Sequence, residues 1–399
     1  MANTPPPVPG PDGDAAPPLT DPNPAATAPS TPTDDKDEVR FFPCQSCGAD
    51  LEFHIGAQRL KCSFCGHEED LDHEDGGIAE NDLESALERE SERRSSNRDR
   101  VAEGEQGELS EIRCTNCAAE VTFEGTLTAD ECPYCGTPLQ RDDVHRATER
   151  LPVDGVLPFR VEREKARANL AKWVKGLWFA PTDFKKRGVQ GRFEGCYLPF
   201  WTFDAMTATR YTGQRGDHYT VTRKVGDRTV TETRTRWRSA SGKFRRFFDD
   251  ELVLATGGLP ESTVDKLEPW PLATLQPFSP GYLSGYLART YDIPLKRGFQ
   301  TAKSRIESAL RSDVKRRIGG DVQRISSMDT RYAGLKYKHL LLPCWLLTYK
   351  YGEKRYQIVV NAVTGEVQGQ RPWSAWKIAF AVILGLAIVG VIVYFAQGN

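Results

Sequence analysis

The sequence predicts a multidomain protein: two small β-rich ribbons, an α+β middle domain and one C-terminal transmembrane helix. Three observations predict it. Eight of the ten cysteines form two copies of one pattern, a charge-free apolar run lies near the C-terminus, and the stretch between them carries the aromatic residues and alternation that fill a core.

The cysteines come first because their spacing dictates chemistry. Cys44-x2-Cys47 with Cys62-x2-Cys65 recurs seventy residues later as Cys114-x2-Cys117 with Cys132-x2-Cys135. In each set two short knuckles supply four thiolates to one tetrahedral Zn²⁺, so two structural zinc ions are expected. Glycine follows the second cysteine of three pairs, as Gly48, Gly66 and Gly136, where it permits the tight turn that aims amides at sulfur. The fourth pair has Ala118 there. The duplication extends to short alternating runs, Leu51-Glu52-Phe53 and Val121-Thr122-Phe123, that read as ribbon strands. Disulfides are the competing use of such cysteines; glycine-flanked pairs two residues apart, without a secretory signal, favour the metal. Four cysteines leave no open coordination position, which argues against catalytic zinc. His54, His67 and His73 lie near the first set and are not needed as ligands.

The C-terminal run, Ile378 to Phe395, has eighteen residues without a charge, about 27 Å as a helix. With Trp376 added it spans a hydrocarbon core. Trp373 and Trp376 before it and Tyr394 and Phe395 at its end fit interfacial anchors. Arg371 and Lys377 precede the span and no basic residue follows it, so the positive-inside rule keeps the N-terminal part in the cytoplasm. The expected location is the cell membrane, single-pass, with a C-terminal anchor. Ala381 and Gly385 make one small-xxx-small pair, a pattern that any Ala/Gly-rich span contains, so a homo-oligomer is left open.

The remaining boundaries follow from composition. Residues 1–40 read as a disordered Pro-rich tail, 41–75 as the first ribbon, 76–110 as a charged, partly helical and solvated linker, and 111–142 as the second ribbon. Residues 150–374 read as one α+β domain and 376–396 as the transmembrane helix. Within the domain, Glu162 to Phe179 and Leu295 to Ile318 have helical spacing. Arg192 to Arg238 reads as several strands, with His218 to Lys224 and Arg228 to Trp237 forming a hairpin about Gly226-Asp227. Leu340 to Tyr351 and Arg355 to Val360 read as strands closing at Thr364-Gly365. Leu-Pro-x-Trp occurs twice, at Leu198 to Trp201 and Leu342 to Trp345. Proline is tolerated at a strand's start, so each copy is expected to begin an apolar strand, with Trp201 and Trp345 in the core or, alternatively, lining a duplicated groove. Cys196 and Cys344 read as buried free thiols.

This combination resembles a family of bacterial tandem zinc-ribbon membrane proteins often labelled primosomal protein N′ (replication factor Y) or superfamily II helicase-like. The residues that carry the resemblance are the four knuckles, Leu157-Pro158-Phe159, Trp173 with Phe179-Ala180-Pro181, Tyr197 to Trp201, and Val363-Thr364-Gly365-Glu366-Val367. A helicase motor needs G-x-x-x-x-G-K-[ST], and no segment matches: Gly242-Lys243 is followed by phenylalanine. No H-E-x-x-H occurs, and Gly281 to Gly285 has the wrong order for a nucleophile elbow, so no catalytic or organic-cofactor residues are assigned and the protein is not expected to be an enzyme. The resemblance implies partnership with membrane-scaffold proteins of the SPFH or phage-shock type. Two functions then fit: a membrane-tethered scaffold for cytoplasmic proteins, or a tethered zinc-dependent nucleic-acid binder, for which the Arg-rich stretch 210–246 and the basic residues of 296–317 supply phosphate-binding charge. Anionic lipid headgroups are a further use of the same charge.

Overall fold

The computed structural model describes residues 42–71, 77–102, 109–113, 120–124, 144–146, 151–187, 192–225, 228–351 and 354–397. The chain is mixed and strand-rich. Its strands are β1 (Leu51–His54), β2 (Arg59–Cys62), β3 (Glu68–Glu69), β4 (Asn81–Asp82), β5 (Leu109–Arg113), β6 (Glu120–Glu124), β7 (Val144–Arg146), β8 (Gly155–Val156), β9 (Arg192–Val225), β10 (Arg228–Leu254), β11 (Gln276–Pro277), β12 (Leu287–Ala288), β13 (Val322–Tyr351), β14 (Lys354–Asn361) and β15 (Val367–Gly369). The helices are α1 (Leu83–Ala102), α2 (Arg163–Gly176), α3 (Thr182–Arg187), α4 (Glu261–Val264), α5 (Leu295–Ile318) and α6 (Ala375–Gln397). The first ribbon is the sheet β1-β2-β3; β6-β5-β7 form a second small sheet, and the large sheet runs β10-β9-β13-β14-β15.

Strands β9 and β13, of 34 and 30 residues, are the spine of the molecule. Arg192 to Arg238, read as several strands, is instead the whole of β9 followed by the start of β10, and β13 begins at Val322 rather than Leu340. Glycines at 213 and 216 look like breaks in the sequence but serve close approach: a Cβ on Gly213 would stand 2.3 Å from the Arg324 carbonyl, and one on Gly216 2.6 Å from Val322. The expected hairpin is present, paired from Arg228↔Val225 to Trp237↔Gly216.

The two Leu-Pro-x-Trp segments do not begin strands. They lie opposite one another in the middle of β9 and β13, with Leu198 facing Leu342, Tyr197 facing Pro343, and Pro199 facing Leu341. Proline survives there because the outer neighbour of each spine strand changes at that point. On β9, β10 stops at Leu254↔Phe200 and β12 takes over at Ala288↔Tyr197. On β13, β8 stops at Val156↔Leu341 and β14 starts at Asn361↔Cys344. No ladder donor is required at Pro199 or Pro343. The flanking carbonyls are satisfied equivalently: Ala255 N donates to Pro199 O and Arg289 N to Tyr197 O, while Ala362 N donates to Pro343 O and Leu157 N to Leu341 O.

The domain is therefore a duplicated β-α-β-β unit, β8-α2-β9-β10 and β12-α5-β13-β14. Each copy lends its short first strand, in parallel, to the long strand of the other. The tryptophans lock this exchange. Trp201 Nε1 donates to Ile293 O at 2.9 Å and Trp345 Nε1 to Val161 O at 2.7 Å, in each case two residues before the other copy's helix. Both rings are buried, so they belong to the core and not to a groove. Cys196 and Cys344 are free and fully buried as read, and they face each other across β9 and β13. Burial pushes the Cys196 thiol up to about 12 and Cys344 well above its ordinary value.

Helix α5 covers one face of the spine with Ala302, Ile306, Leu310, Val314 and Ile318, a four-residue repeat that makes one apolar stripe. Gly298 lets the helix approach Trp201, to within 2.6 Å of where a Cβ would sit. Lys315, Arg316 and Arg317 in its last turn suit the negative end of the helix dipole. Two bulges, between Phe248 and Glu251 on β10 and between Ala333 and Lys336 on β13, flank Asp204 of β9. Lys338 joins them: its ammonium is 2.7 Å from Asp250, 3.6 Å from Glu80 and 3.8 Å from Asp204. Such bulges add local twist where the buried base of the sheet gives way to its exposed extension.

The first ribbon packs into the core beside the large sheet. Leu51, Phe53, Leu60 and Leu71 share one core cluster with Phe159, Tyr282 and Trp345. The segment after ribbon 1 is also anchored at its start, since β4 pairs with β13 and Leu83 and Ala86 of α1 are buried beside Trp201 and Phe203. Helix α6 is long and apolar enough to cross a membrane, and its apolar window is uncovered by the rest of the chain.

Candidate metal centre and basic sheet face

The knuckles of the first ribbon are built alike. Gly48 N donates to Cys44 O and Cys44 N to Ala49 O; Gly66 N donates to Cys62 O and Cys62 N to His67 O. Gly48 and Gly66 have φ of 75° and 76°, the left-handed conformation that glycine adopts without strain. This turn brings Cys44, Cys47, Cys62 and Cys65 together, with their sulfurs all within 4.8 Å. The Cys44–Cys65 and Cys47–Cys62 pairs are each 3.5 Å apart. Zinc–sulfur bonds of about 2.3 Å in a tetrahedron set sulfur–sulfur edges near ~3.8 Å, so the quartet fits one such ion with little adjustment. Cys44 and Cys62 are buried while Cys47 and Cys65 face out.

The electrostatics match a cation site. Backbone amides of Cys65 and Phe64 hold the Cys62 thiol down to about 6. At Cys65 the His67 amide favours the thiolate, but the neighbouring cysteines and burial outweigh it and push the group up to about 12. A metal ion would be needed to draw all four sulfurs into the thiolate form. Among the described residues the group is the four cysteines alone: His54 Nδ1 accepts from Ala57 N and His67 lends its backbone, while His73 lies outside the described residues. Cys114, Cys117, Cys132 and Cys135 also lie outside them. Of the second ribbon, Val121-Thr122-Phe123 falls in β6 as read.

The ribbon's dock was not legible as such. Phe53 N donates to Ser284 O at 3.1 Å, Ser284 Oγ donates to Leu51 O, and Gln58 Nε2 donates to Phe159 O at 2.9 Å. A Cβ on Gly281 would stand 2.4 Å from Leu71, and Gly285 has φ of 82° beside Glu52. The Gly281 to Gly285 segment, which fails as a nucleophile elbow, is the seat of the ribbon.

The second feature is the face of the spine that α5 leaves open. Alternation places Ala208, Arg210 and Thr212 of β9 there, with Lys243 and Arg245 of β10 and Asp329 and Arg331 of β13. Arg210 faces Lys243 directly, and Ala208 separates Arg245 from Arg331. All of these but Thr212, with Thr209 and Phe244, line a cavity of about 530 Å³. None of the four cations is in an ion pair among the described residues, unlike Arg215, Arg234, Arg246 and Arg305, which pair with Asp217, Glu232, Asp313 and Asp265. Like charges directly opposite on a sheet are destabilising. Beyond the Gly216–Val322 row the sheet narrows to a bare hairpin of β9 and β10, largely exposed on both faces.

Comparison with known proteins places the chain beside one further sequence. It is 27% identical over 351 residues, 85% of this chain and 92% of the relative, to the uncharacterized protein YdjG of Bacillus subtilis (strain 168). No protein-family model matches the chain. No solved structure matches it.

Proposed function

We propose that this protein is a single-pass membrane scaffold that faces the cytoplasm and recruits proteins to the bilayer through the hairpin arm of β9 and β10. The observation that carries it is the arm itself. A two-stranded hairpin is marginally stable alone in water, and open strand edges are templates for pairing. Residues 206–248 carry eleven Lys and Arg against three Asp and Glu, in a chain whose formal net charge is −2. That charge keeps the edges soluble and selects acidic partners. The Cys44, Cys47, Cys62, Cys65 quartet holds a structural zinc ion that stiffens the docked ribbon, and Cys114, Cys117, Cys132 and Cys135 hold a second. Helix α6 anchors the chain, with Arg371 and Lys377 on the cytoplasmic side. Scaffold proteins of the SPFH or phage-shock type are the partner class that the family resemblance implies. The chain has no catalytic role in this reading.

The test replaces residues 218–235 by Asn-Gly, which closes a tight hairpin on Asp217 and Arg236. Solubilised from native membranes, the full chain should retain a defined set of cytoplasmic proteins that the shortened chain loses. Deleting residues 378–399 should shift the same set to the cytosol. Partners retained without the arm would overturn the proposal.

A second reading, a membrane-tethered nucleic-acid binder, is favoured by one observation: Arg210, Lys243, Arg245 and Arg331 lie together on an open sheet face without an ion pair among the described residues. Phosphates would relieve their mutual repulsion. A single-stranded oligonucleotide titrated across salt decides it: a steep loss of affinity with salt that Lys243→Glu and Arg245→Glu abolish supports this reading, and no binding at low salt removes it.

A further inference from the structure

The first turn of α6 is not free of the domain. Ser374 N donates to Phe179 O at 2.8 Å, Lys377 Nζ donates to Ala180 O at 2.8 Å, and the rings of Phe179 and Trp373 are 6.3 Å apart. The loop between α2 and α3 is thereby fixed against the start of the apolar helix. On that loop Trp178 is 70% exposed; Trp373, just before α6, is 58% exposed and Trp376, in its first turn, 81%. The other described tryptophans are buried or half-buried. Single exposed apolar residues are ordinary on protein surfaces. Three exposed indoles around the base of one apolar helix form the pattern of an interfacial belt, where the ring is half apolar and half wet.

Depth follows from the contacts. Lys377 is the last charge before the apolar run, so the hydrocarbon begins within a residue or two of it. The interfacial layer is roughly 5–8 Å thick on each side. A loop whose carbonyls accept hydrogen bonds from Ser374 and Lys377 lies at that depth. Cations surround it: Arg371 stacks 4.5 Å over the Trp373 ring, and Lys185 Nζ donates to Lys175 O at 3.0 Å, bringing two lysines to the same rim.

We infer that the α2–α3 loop is a second membrane contact, which seats Trp178 among the headgroups of the bilayer crossed by α6 while Lys175, Lys185 and Arg371 meet anionic lipid. This inference rests on the reading of α6 as a membrane span. Its consequence is orientation: the base is held to the bilayer at two points, so the sheet does not swivel on a single helix. Sequence alone gave Trp178 no role, because it lies about 200 residues from the span in the chain.

The test uses the full zinc-loaded chain in vesicles of three parts phosphatidylcholine to one part phosphatidylglycerol. A thiol-reactive bimane is placed at Trp178→Cys, at Gly385→Cys as a hydrocarbon control and at Lys224→Cys as an aqueous control. Lipids brominated near the headgroup should quench the probe at 178 at least threefold more than the probe at 224, and lipids brominated in mid-chain should quench 385. Quenching at 385 with none at 178 overturns the second contact while the span stands. No quenching at 385 removes the span and the inference with it. Circular dichroism of Trp178→Cys, expected to match the parent because the ring is exposed, confirms that a negative result reports contact and not misfolding.

Discussion

The base and the arm of this molecule are built from the same strands and differ in almost everything else. From Phe193 to Ala205, β9 is mostly apolar and, Glu194 apart, buried, flanked by the other repeat's short strand, by β10 and β13, and by the docked ribbon. From Met206 to Val225 the strand keeps its hydrogen bonds but loses burial first on one face and then on both. It is covered by α5 on one face as far as Gly213, and beyond Gly216 β10 is its only strand neighbour among the described residues. In the base, side chains are chosen by packing. In the arm they are exposed and rich in cations, some paired, as Arg215 is with Asp217 and Arg234 with Glu232, and some facing like charge, as Arg210 faces Lys243; in the scaffold reading proposed above, this surface is the one that meets partners.

The largest effect that would break this comparison concerns the ribbon seated on the base. Cys62→Ser should remove one zinc ion per chain by elemental analysis and open the knuckles at 44–48 and 62–66 to proteolysis, because the metal would be what ties the two knuckle tips to each other. A chain that kept both its zinc content and its protease resistance would show that the ribbon stands on its docking contacts alone. Next, Trp345→Ala and Trp201→Ala should each cost about 3–5 kcal/mol by denaturant unfolding in detergent. Losses of similar size are expected, since the two rings play equivalent parts in the duplicated unit; a large loss at one and none at the other would break the symmetry. Gly298→Ala comes third. Its methyl meets Trp201, so overpacking of about 1–3 kcal/mol should outweigh the ~1 kcal/mol of helix propensity gained. Smallest of all, Val230→Ala and Tyr219→Ala in the arm should change stability by no more than about 0.5 kcal/mol, as exposed positions do.

Much of the base could be read from the chain. The cysteine spacing gave the first quartet, and a continuous apolar stripe gave α5 with the bounds Leu295 and Ile318. The uncharged run gave α6, and the hairpin pairing was read correctly. What escaped reading has physical causes. Strand length was hidden because an arm exposed on both faces carries no buried period to mark where strands begin or end, and because Gly213 and Gly216 imitate turns while serving close approach. The prolines at 199 and 343 pointed to strand starts; only the three-dimensional change of neighbours shows why a central strand accepts them. The seat of the ribbon at Gly281 to Gly285 and the setting of Trp178 both depend on contacts between residues far apart in the chain, which local pattern does not encode.

Site-specific photo-crosslinking in intact cells tests the division between base and arm most directly. A photoreactive amino acid at Val230, in the arm, should trap cytoplasmic proteins, while the same group at Lys172, exposed on α2 of the base, should trap few or none. Equal trapping at both positions, or trapping at Lys172 alone, would contradict the assignment of recruitment to the arm.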